Sequence, residues 1–421
     1  MSYSLKSSIW CTLVLAAFSG CIKDTLKTSY TYTLAQPIFK TTQEVRENIK
    51  NVPGTALKNP GKMYVSGSYI FLNERNKGIH VINNSNPANP INESFIAIPG
   101  CEDLAIFDKT LYADCYTDLM VLDISNPKSV VLKEVTSNLF PERRFTMGFA
   151  MDSNQVITDW IVKDTTTIHK TNITDGQLIN GGLWFNSSFE FTSFSAGNST
   201  RTQAGKGGSM ARFAISHNYL YAVTQQNLLA LSLANPLSPK LTSNKAMGWG
   251  IETIYPFQDK LFIGSNSGMF IYLLSDPAQP KQTAIFTHAT VCDPVIADGN
   301  YAYVTLRSGA VCPGFTNQMD VVNVEDIYNP KLVRSYPLTN PHGLDKRGNW
   351  LFVCDGKDGL KVLDATDPAN VKLKKTIAIK DTYDVICWGP VAIVSTAAGI
   401  YQYNIEDVEK ITLLSKILIT P

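Results

Sequence analysis

The chain has 421 residues, of which 44% are hydrophobic and 10% aromatic, and its formal net charge is +1. That length is enough to bury a large core, and the balanced charge argues against a protein that attracts nucleic acid electrostatically. Val, Ile, Thr and Tyr are frequent, which favours strands and predicts an all-β fold.

The N-terminus has the pattern of an export signal. Lys6 is followed by an apolar run over residues 9–18, which is too short to span a bilayer as a helix. The sequence Phe18-Ser19-Gly20-Cys21 then resembles the lipobox of bacterial lipoproteins, in which the chain is cut before the cysteine and the thiol is acylated. An ordinary signal peptide, or an anchor helix with an incidental cysteine, is the alternative.

The lipobox resemblance implies a signal peptide over residues 1–20 and a palmitate-type lipid on Cys21. It also implies a lipid-anchored protein of the bacterial cell envelope, at the outer membrane or the cell surface. Residues 21–58 then form a lipidated tether, and residues 41–51 within it predict one short helix.

From residue 59 onward, a unit of about 40 residues repeats along the chain. Each unit has two short apolar strands, then a turn, then a closing strand. The first aligned strands begin at Ile70, Leu111, Leu220, Leu261, Ala302, Leu351 and Ala392. Four short strands per unit are typical of a propeller blade. Residues 59–421 are therefore predicted to form a single β-propeller of four-stranded blades, with a solenoid or sandwich array as the alternative.

The turns of the repeat share an Asn or Asp followed by Pro. The side chain can bond the backbone ahead, and Pro fixes the φ angle that the turn needs. The turns are Asn86-Pro87, Asn126-Pro127, Asn235-Pro236, Asp276-Pro277, Asn329-Pro330 and Asp367-Pro368, and the last unit has Asp407-Val408 instead.

Two stretches of the repeat resemble a known family. The sequences Leu119–Pro127 and Leu360–Pro368 are similar to the LVIVD repeat of exported bacterial and archaeal proteins. The resemblance covers residues 59–421 and implies a propeller outside the cytoplasm. It implies no particular activity.

The number of blades depends on the long gap between Leu111 and Leu220. Residues 145–164 predict two strands there, with Val156-Ile157 in the place of a first aligned strand. We therefore expect eight blades, the third of them degenerate and followed by a polar insertion over residues 165–208. Seven blades, with this segment as an excursion, is the alternative.

The cysteines of the mature chain predict disulfides. Cys101 and Cys115 flank one hairpin, and Cys292 and Cys312 flank another, so each pair is within bridging reach in an oxidising compartment. Cys354 and Cys387 lie in successive units, where they either pair across blades or remain buried apolar groups.

One position of the repeat, at the start of the channel-lining strand, is ionisable in all seven clear units. The residues are Lys62, Asp103, Arg212, Glu252, Asp293, His342 and Asp384, with Met147 or Gly148 at the eighth position. Carboxylate oxygens suit Ca²⁺ or Mg²⁺, so a cation or small-ligand site is one interpretation. A ring of salt bridges that ties the blades together is the other.

Two loop regions are candidate binding surfaces, because loops on a rigid scaffold often carry binding. The loop Arg307–Gln318 contains Phe315, and the insertion contains Trp184. The insertion is also interpreted as an extra strand that covers a sheet edge.

Catalytic motifs are missing from the sequence, including Gly-x-Ser-x-Gly and His-Glu-x-x-His. The first hypothesis is a non-enzymatic scaffold that binds a protein or glycan partner. The alternative is a metal-dependent, lactonase-like hydrolase, with His342 as the base and Asp103, Glu252, Asp293 and Asp384 as metal ligands.

Overall fold

The computed structural model of the chain describes residues 25–146, 149–152, 154–172, 205–287, 294–308 and 316–420. Eight candidate residues of the sequence lie outside these ranges: Cys21, Met147, Gly148, Trp184, Cys292, Asp293, Cys312 and Phe315. Within the described ranges, no helix is long and apolar enough to cross a membrane. The described residues divide into two compact units, one made of 25–39 with 157–172 and the other of the remainder.

The larger unit is an all-β propeller of seven blades, each with four antiparallel strands, and two further strands extend the sheet of blade 1. Blade 1 has the strands Pro60–Ser66, Tyr69–Glu74, Gly78–Asn83 and Ile91–Ala97. Blade 2 has Leu104–Phe107, Thr110–Cys115, Asp118–Asp123 and Val131–Thr136. Blade 3 has Phe213–Ser216, Tyr219–Val223, Asn227–Ser232 and Lys240–Ala246. Blade 4 has Ile251–Phe257, Lys260–Ser265, Gly268–Leu273 and Lys281–Thr287.

The remaining three blades repeat the same order. Blade 5 has the strands Val295–Asp298, Tyr301–Leu306, Gln318–Asn323 and Lys331–Pro337. Blade 6 has Leu344–Arg347, Trp350–Cys354, Leu360–Asp364 and Lys372–Ile377. Blade 7 has Thr382–Trp388, Val391–Thr396, Gly399–Asn404 and Thr412–Leu418. The first strands of the seven blades adjoin one another in a closed ring and line its centre.

The preference for eight blades is wrong, and the seven-blade alternative is correct. The first strand of blade 2 adjoins that of blade 3 directly, so the chain between them is an excursion from the ring. Val156-Ile157 do lie in a strand, Gln155–Asn172, but that strand pairs with Thr25–Thr41 near the N-terminus. A short hairpin of Phe145–Thr146 and Phe149–Ala150 precedes it. An apolar strand-like sequence does not reveal which strand will pair with it.

The Asx turns form as the repeat predicts. The Asn86 Oδ1 atom accepts a hydrogen bond from the Ala88 N–H group at 3.1 Å, and the same bond recurs at Asn126 and Asp367. Blade 5 differs from the prediction, because its turn begins at Asp326, whose Oδ1 accepts from the Tyr328 N–H, and not at Asn329. Asp326 lies three positions before Asn329, and Ile327 follows it, so the Asn/Asp-Pro pattern does not mark this turn.

The carbonyls of the turn prolines join neighbouring blades. Tyr112 of blade 2 donates its hydroxyl to the Pro236 carbonyl of blade 3 at 2.7 Å, and Tyr221 of blade 3 does the same to Pro277 of blade 4 at 2.8 Å. Ser415 of blade 7 donates to the Pro87 carbonyl of blade 1 at 2.6 Å and helps to close the ring. The repeated turn is therefore also a repeated blade-to-blade contact.

The segment before blade 1 contains one short helix and one strand. Thr41 and Glu44 form a capping box for the helix Thr42–Glu47, which is shorter than the predicted range. The strand Lys50–Pro53 then pairs with Ile91–Ala97 at the outer edge of blade 1. This edge of blade 1 is thereby covered, which limits strand pairing with other chains.

Candidate functional site

In each blade, the loops that enter the first strand and leave the second strand lie at the same end of the propeller, because the strands are antiparallel. We call this end the mouth face. It carries the ionisable position of the repeat, and the structure describes six of its seven residues. These six do not form one uniform ring. They divide into a covered group and an open group.

The covered group begins with an ion pair between blades 1 and 2. The Lys62 ammonium contacts the Asp103 carboxylate, and both side chains are almost completely buried. Burial lowers the pKa of Lys62, although the Asp103 carboxylate beside it opposes that effect. Asp103 also accepts a hydrogen bond from the Arg212 backbone N–H at 2.6 Å. This pair ties three blades together.

Residues 205–212 cover this group, because they run through the centre of the ring. Lys206–Gly207 pair with the channel side of the first strand of blade 1. The Lys206 ammonium lies 2.5 Å from the Asp345 carboxylate of blade 6 and donates to the Cys387 carbonyl of blade 7 at 3.3 Å. The Asp345 carboxylate also accepts from the Cys387 N–H at 2.6 Å. The channel is therefore crossed by the chain itself.

Asp384 of blade 7 is held against the same segment. Its Oδ1 accepts from the Ser209 hydroxyl at 3.2 Å, and Ser209 Oγ accepts from the Leu344 N–H at 2.6 Å. A Cβ atom at Gly208 or Gly343 would come within about 2 Å of the Asp384 carboxylate, which would have to move to make room. Asp384 is thus used to fix residues 205–212 inside the ring.

The open group consists of Arg212, Glu252 and His342, in blades 3, 4 and 6, and the pKa values of Glu252 and His342 are shifted. Burial raises the pKa of Glu252 to about 7, and the nearby Arg212 and Arg307 guanidinium groups oppose that shift. Burial, together with Arg307, lowers the pKa of His342 to about 3. His342 is 4% exposed, and its Nδ1 atom has no hydrogen-bond partner in the described structure. Groups with shifted pKa values are frequent at functional sites.

The described residues do not assemble the predicted cation site. Among them, no group of three or more His, Cys, Asp or Glu side chains is placed to hold a metal ion. Asp103 contacts Lys62 and Asp384 contacts Ser209, while Glu252 lies near two arginines. The fourth predicted ligand, Asp293, lies outside the described ranges. The three described acidic residues, Asp103, Glu252 and Asp384, thus have different partners and do not converge on one point.

The mouth face also carries an exposed aromatic residue that the sequence search missed. Trp249 is 73% exposed in the loop that leads into the first strand of blade 4. It lies between Gly248 and Gly250, whose φ angles of +103° and +81° few other residues adopt. Glu252 follows three positions later. In the sequence, a tryptophan between two glycines is the pattern that indicates an exposed aromatic residue on a turn.

The two candidate loops are only partly described. Arg307 is buried at the start of its loop, where its charge acts on both Glu252 and His342. Phe315 and Trp184 fall outside the described ranges. Lys206 and Asp345 were missed because the search followed one repeat position, and because Lys206 lay inside the predicted insertion.

The structure contains no disulfide between Cys101 and Cys115, which are both free and buried. The Cys115 thiol donates to the Pro99 carbonyl at 3.1 Å, whereas the Cys101 thiol donates to the Asp103 carbonyl at 3.7 Å. The two thiols are thus directed to different carbonyl groups. Cys354 and Cys387 are free and buried as well. The Cys292–Cys312 pair lies outside the described ranges.

Comparisons with known proteins agree with this architecture. The LVIVD repeat model matches residues 61–95, 102–136 and 346–378, which lie in blades 1, 2 and 6. No curated protein sequence matches the chain.

Two solved structures resemble the chain in fold. The periplasmic gluconolactonase of Pseudomonas aeruginosa is 12% identical with a TM-score of 0.53, over 86% of this chain and 97% of that one. A protein from Lactobacillus plantarum is 14% identical with a TM-score of 0.51, over the same shares. At these identities the likeness concerns the fold alone. The chain is therefore a seven-bladed β-propeller that contains LVIVD repeats.

Proposed function

We propose that this chain is an exported lipoprotein, anchored through a lipid on Cys21, whose propeller is a non-enzymatic scaffold. Its partner is a protein or a glycan that binds at the mouth face. The lipobox-like sequence around Cys21 supports the anchor. The LVIVD repeats support export, since the resemblance implies that location.

One observation carries the non-enzymatic interpretation. The channel residues Lys62, Asp103 and Asp345 are buried and already engaged in ion pairs. Catalytic groups must reach a substrate within hydrogen-bond distance, and residues 205–212 occupy the space through which it would pass. The channel is thus used for cohesion between blades, and binding is left to the surface.

Trp249 is the residue on the mouth face that best suits binding. Trp and Arg are enriched among the residues that dominate binding energy. Glu252 follows Trp249 by three positions, and Arg212 and Arg307 lie near Glu252. An indole ring on a short glycine-flanked loop can stack on a sugar ring or enter a pocket of a protein. The surrounding charges then orient the partner.

Acylation is tested by growth with an alkyne-labelled palmitate analogue. We expect the full chain to incorporate the label and the Cys21→Ser chain to lose it. Equal labelling of both chains would contradict the anchor.

Partner binding is tested with a glycan array and with photo-crosslinking to bacterial envelope proteins. We expect Trp249→Ala to weaken capture by about tenfold or more, the loss that follows truncation of a binding hot spot. The matched control is Tyr328→Ala, since Tyr328 is 56% exposed in a turn at the opposite end of its blade. Equal capture by both variants would exclude Trp249 as the anchor of the partner.

The hydrolase is the second candidate function, and one observation favours it. The Glu252 carboxyl group has a pKa of about 7, which suits acid–base chemistry at neutral pH. Its metal-dependent form is tested by thermal unfolding with Ca²⁺, Mg²⁺ or a chelator, because an ion that binds only the folded state raises the unfolding temperature. A concentration-dependent rise, together with lactone hydrolysis that Glu252→Gln abolishes, would replace the scaffold hypothesis.

A further inference from the structure

The smaller unit of the chain is a two-stranded ribbon. Its strands are Thr25–Thr41 and Gln155–Asn172. From here on, the term ribbon refers to residues 30–39 and 157–166 of these strands. The Thr31 and Thr166 hydroxyl groups lie 3.0 Å apart, and the Thr33 hydroxyl donates to Asp164 Oδ1 at 2.8 Å. Because the partner number falls as the residue number rises, the two strands run antiparallel.

This register gives the ribbon two different faces, since side chains alternate along a strand. Thr31, Thr33, Asp164 and Thr166 share the polar face. The opposite face carries Tyr30, Tyr32, Leu34 and Ile161, which are 59%, 50%, 51% and 51% exposed. Phe39 and Val162 are exposed on the polar side, further along the ribbon. Tyr30, Tyr32 and Leu34 therefore form an exposed apolar row along the first strand. Polar residues of the second strand share this face, with Lys163 across from Leu34 and Thr165 across from Tyr32.

Exposed apolar surface of this kind requires a physical explanation. A two-stranded ribbon is marginally stable in water by itself, and a contiguous apolar patch marks an interaction surface. Tyrosine has an apolar ring and a polar hydroxyl, and it is enriched where membranes meet water. The composition of this face suits the boundary between lipid headgroups and acyl chains.

The position of the ribbon in the chain identifies the occupant. Cys21 lies four residues before Thr25, where the first strand begins. Extended chain covers at most about 3.6 Å per residue, so Tyr30 cannot lie further than roughly 32 Å from a lipid on Cys21. The charged residues over 29–41 and 155–166 are Lys40, Asp159, Lys163 and Asp164, which balance. Attraction to anionic lipid is therefore not required.

We propose that the face of the ribbon that carries Tyr30, Tyr32, Leu34 and Ile161 lies in the lipid–water interface of the membrane that holds the Cys21 lipid. The ribbon then acts as a second, non-covalent attachment beside the acyl chains. This inference rests on the proposed lipid anchor, because the anchor brings the ribbon to the bilayer.

The test uses the unacylated chain from residue 22, which contains every residue that the structure describes. Its binding to phosphatidylcholine vesicles is measured by co-sedimentation. We expect the triple variant Tyr30→Ser, Tyr32→Ser, Leu34→Ser to bind about tenfold more weakly, because each substitution removes apolar area that leaves water on binding.

The matched control removes equally exposed apolar residues from the propeller. Ile91, Val131 and Leu413 are 54%, 48% and 44% exposed, and their joint replacement by Ser should leave vesicle binding unchanged. Urea unfolding of each variant verifies that the propeller remains folded. Absence of binding by the parent chain, or equal loss in both variants, would overturn the proposal.

Two further measurements separate the possible failures. The Cys21→Ser labelling experiment tests the anchor alone. If the full chain takes up no label while the chain from residue 22 binds vesicles, the proposed lipoprotein is overturned and the ribbon's affinity for lipid is retained. Sedimentation velocity tests a second copy as the occupant. If the triple variant converts a dimer to a monomer and leaves vesicle binding unchanged, the face is a contact between chains and the proposal is wrong.

Discussion

The covered and open groups of the mouth face start from the same position of the repeat but have different chemistry. In blades 1, 2 and 7, residues 205–212 cover that position, and Lys62, Asp103 and Asp384 are satisfied by ion pairs or hydrogen bonds. In blades 4 and 6, Glu252 is partly buried and His342 is buried, both near Arg307, and the pKa shift of each favours its neutral form.

The difference shows that a repeated sequence position does not define a repeated environment. One non-repeated segment supplies Lys206 to blade 6 and Ser209 to blade 7. Asp345 and Asp384 face this segment, and their carboxylates hold it in place through an ion pair and a hydrogen bond. Glu252 instead lies near the Arg212 and Arg307 guanidinium groups, and its pKa of about 7 is of the shifted kind that is frequent at functional sites.

The largest expected effect comes from breaking the covered group. Asp345→Ala removes the carboxylate that contacts Lys206 and the Cys387 N–H, and leaves a buried ammonium without its anion. We expect a loss of about 3–5 kcal/mol in the free energy of unfolding. Urea unfolding measures it.

The control for Asp345 is an exposed ion pair. Glu409 pairs with Lys374 at the surface, where its side chain is 64% exposed, so Glu409→Ala should cost at most about 1 kcal/mol. The double variant Lys206→Met, Asp345→Leu should recover much of the lost stability, because it leaves no unpaired charge. If Asp345→Ala costs no more than Glu409→Ala, residues 205–212 do not hold the ring together.

The open group predicts two opposing pH dependences. Glu252 has a folded pKa of about 7 against an ordinary value of 4.5, so its contribution is present at low pH and is lost as the pH rises toward 7. His342 has a folded pKa of about 3 against 6.5, so its contribution is present above 6.5 and is lost as the pH falls. Between pH 4.5 and 6.5 the two slopes oppose each other.

Single substitutions should expose each slope. Glu252→Gln should become more stable relative to the parent chain as the pH rises from 4.5 to 7, by about 1–3 kcal/mol. His342→Gln should lose less stability than the parent chain as the pH falls below 6.5. Unfolding free energies at several pH values measure both, with the exposed Glu325→Gln as a control. Parallel curves for all the chains would mean that these side chains are not buried as the structure has them.

Much of the fold follows from the sequence, because the repeat is local. Asn126-Pro127 and Asp367-Pro368 mark turns that form through bonds within a few residues. The blade number depends instead on which strand pairs with Val156-Ile157, and that partner lies more than a hundred residues away. The site depends on the same kind of distant contact. Lys206 meets Asp345 across the ring, and no local pattern encodes that meeting.

The smallest expected effect concerns the thiols beside the covered group. Cys101 and Cys115 are free, and Cys101 is close to Asp103. A disulfide between them would add about 2–4 kcal/mol of stability. We therefore expect a reductant to leave the unfolding free energy of a Cys292→Ser, Cys312→Ser chain unchanged. That background removes the cysteine pair outside the described ranges, so a loss of stability with reductant would assign a bond to Cys101, Cys115, Cys354 or Cys387. Mass spectrometry after alkylation of the unfolded chain would then identify the bonded cysteines, and a bond at Cys101 would require rearrangement of the contacts around Asp103.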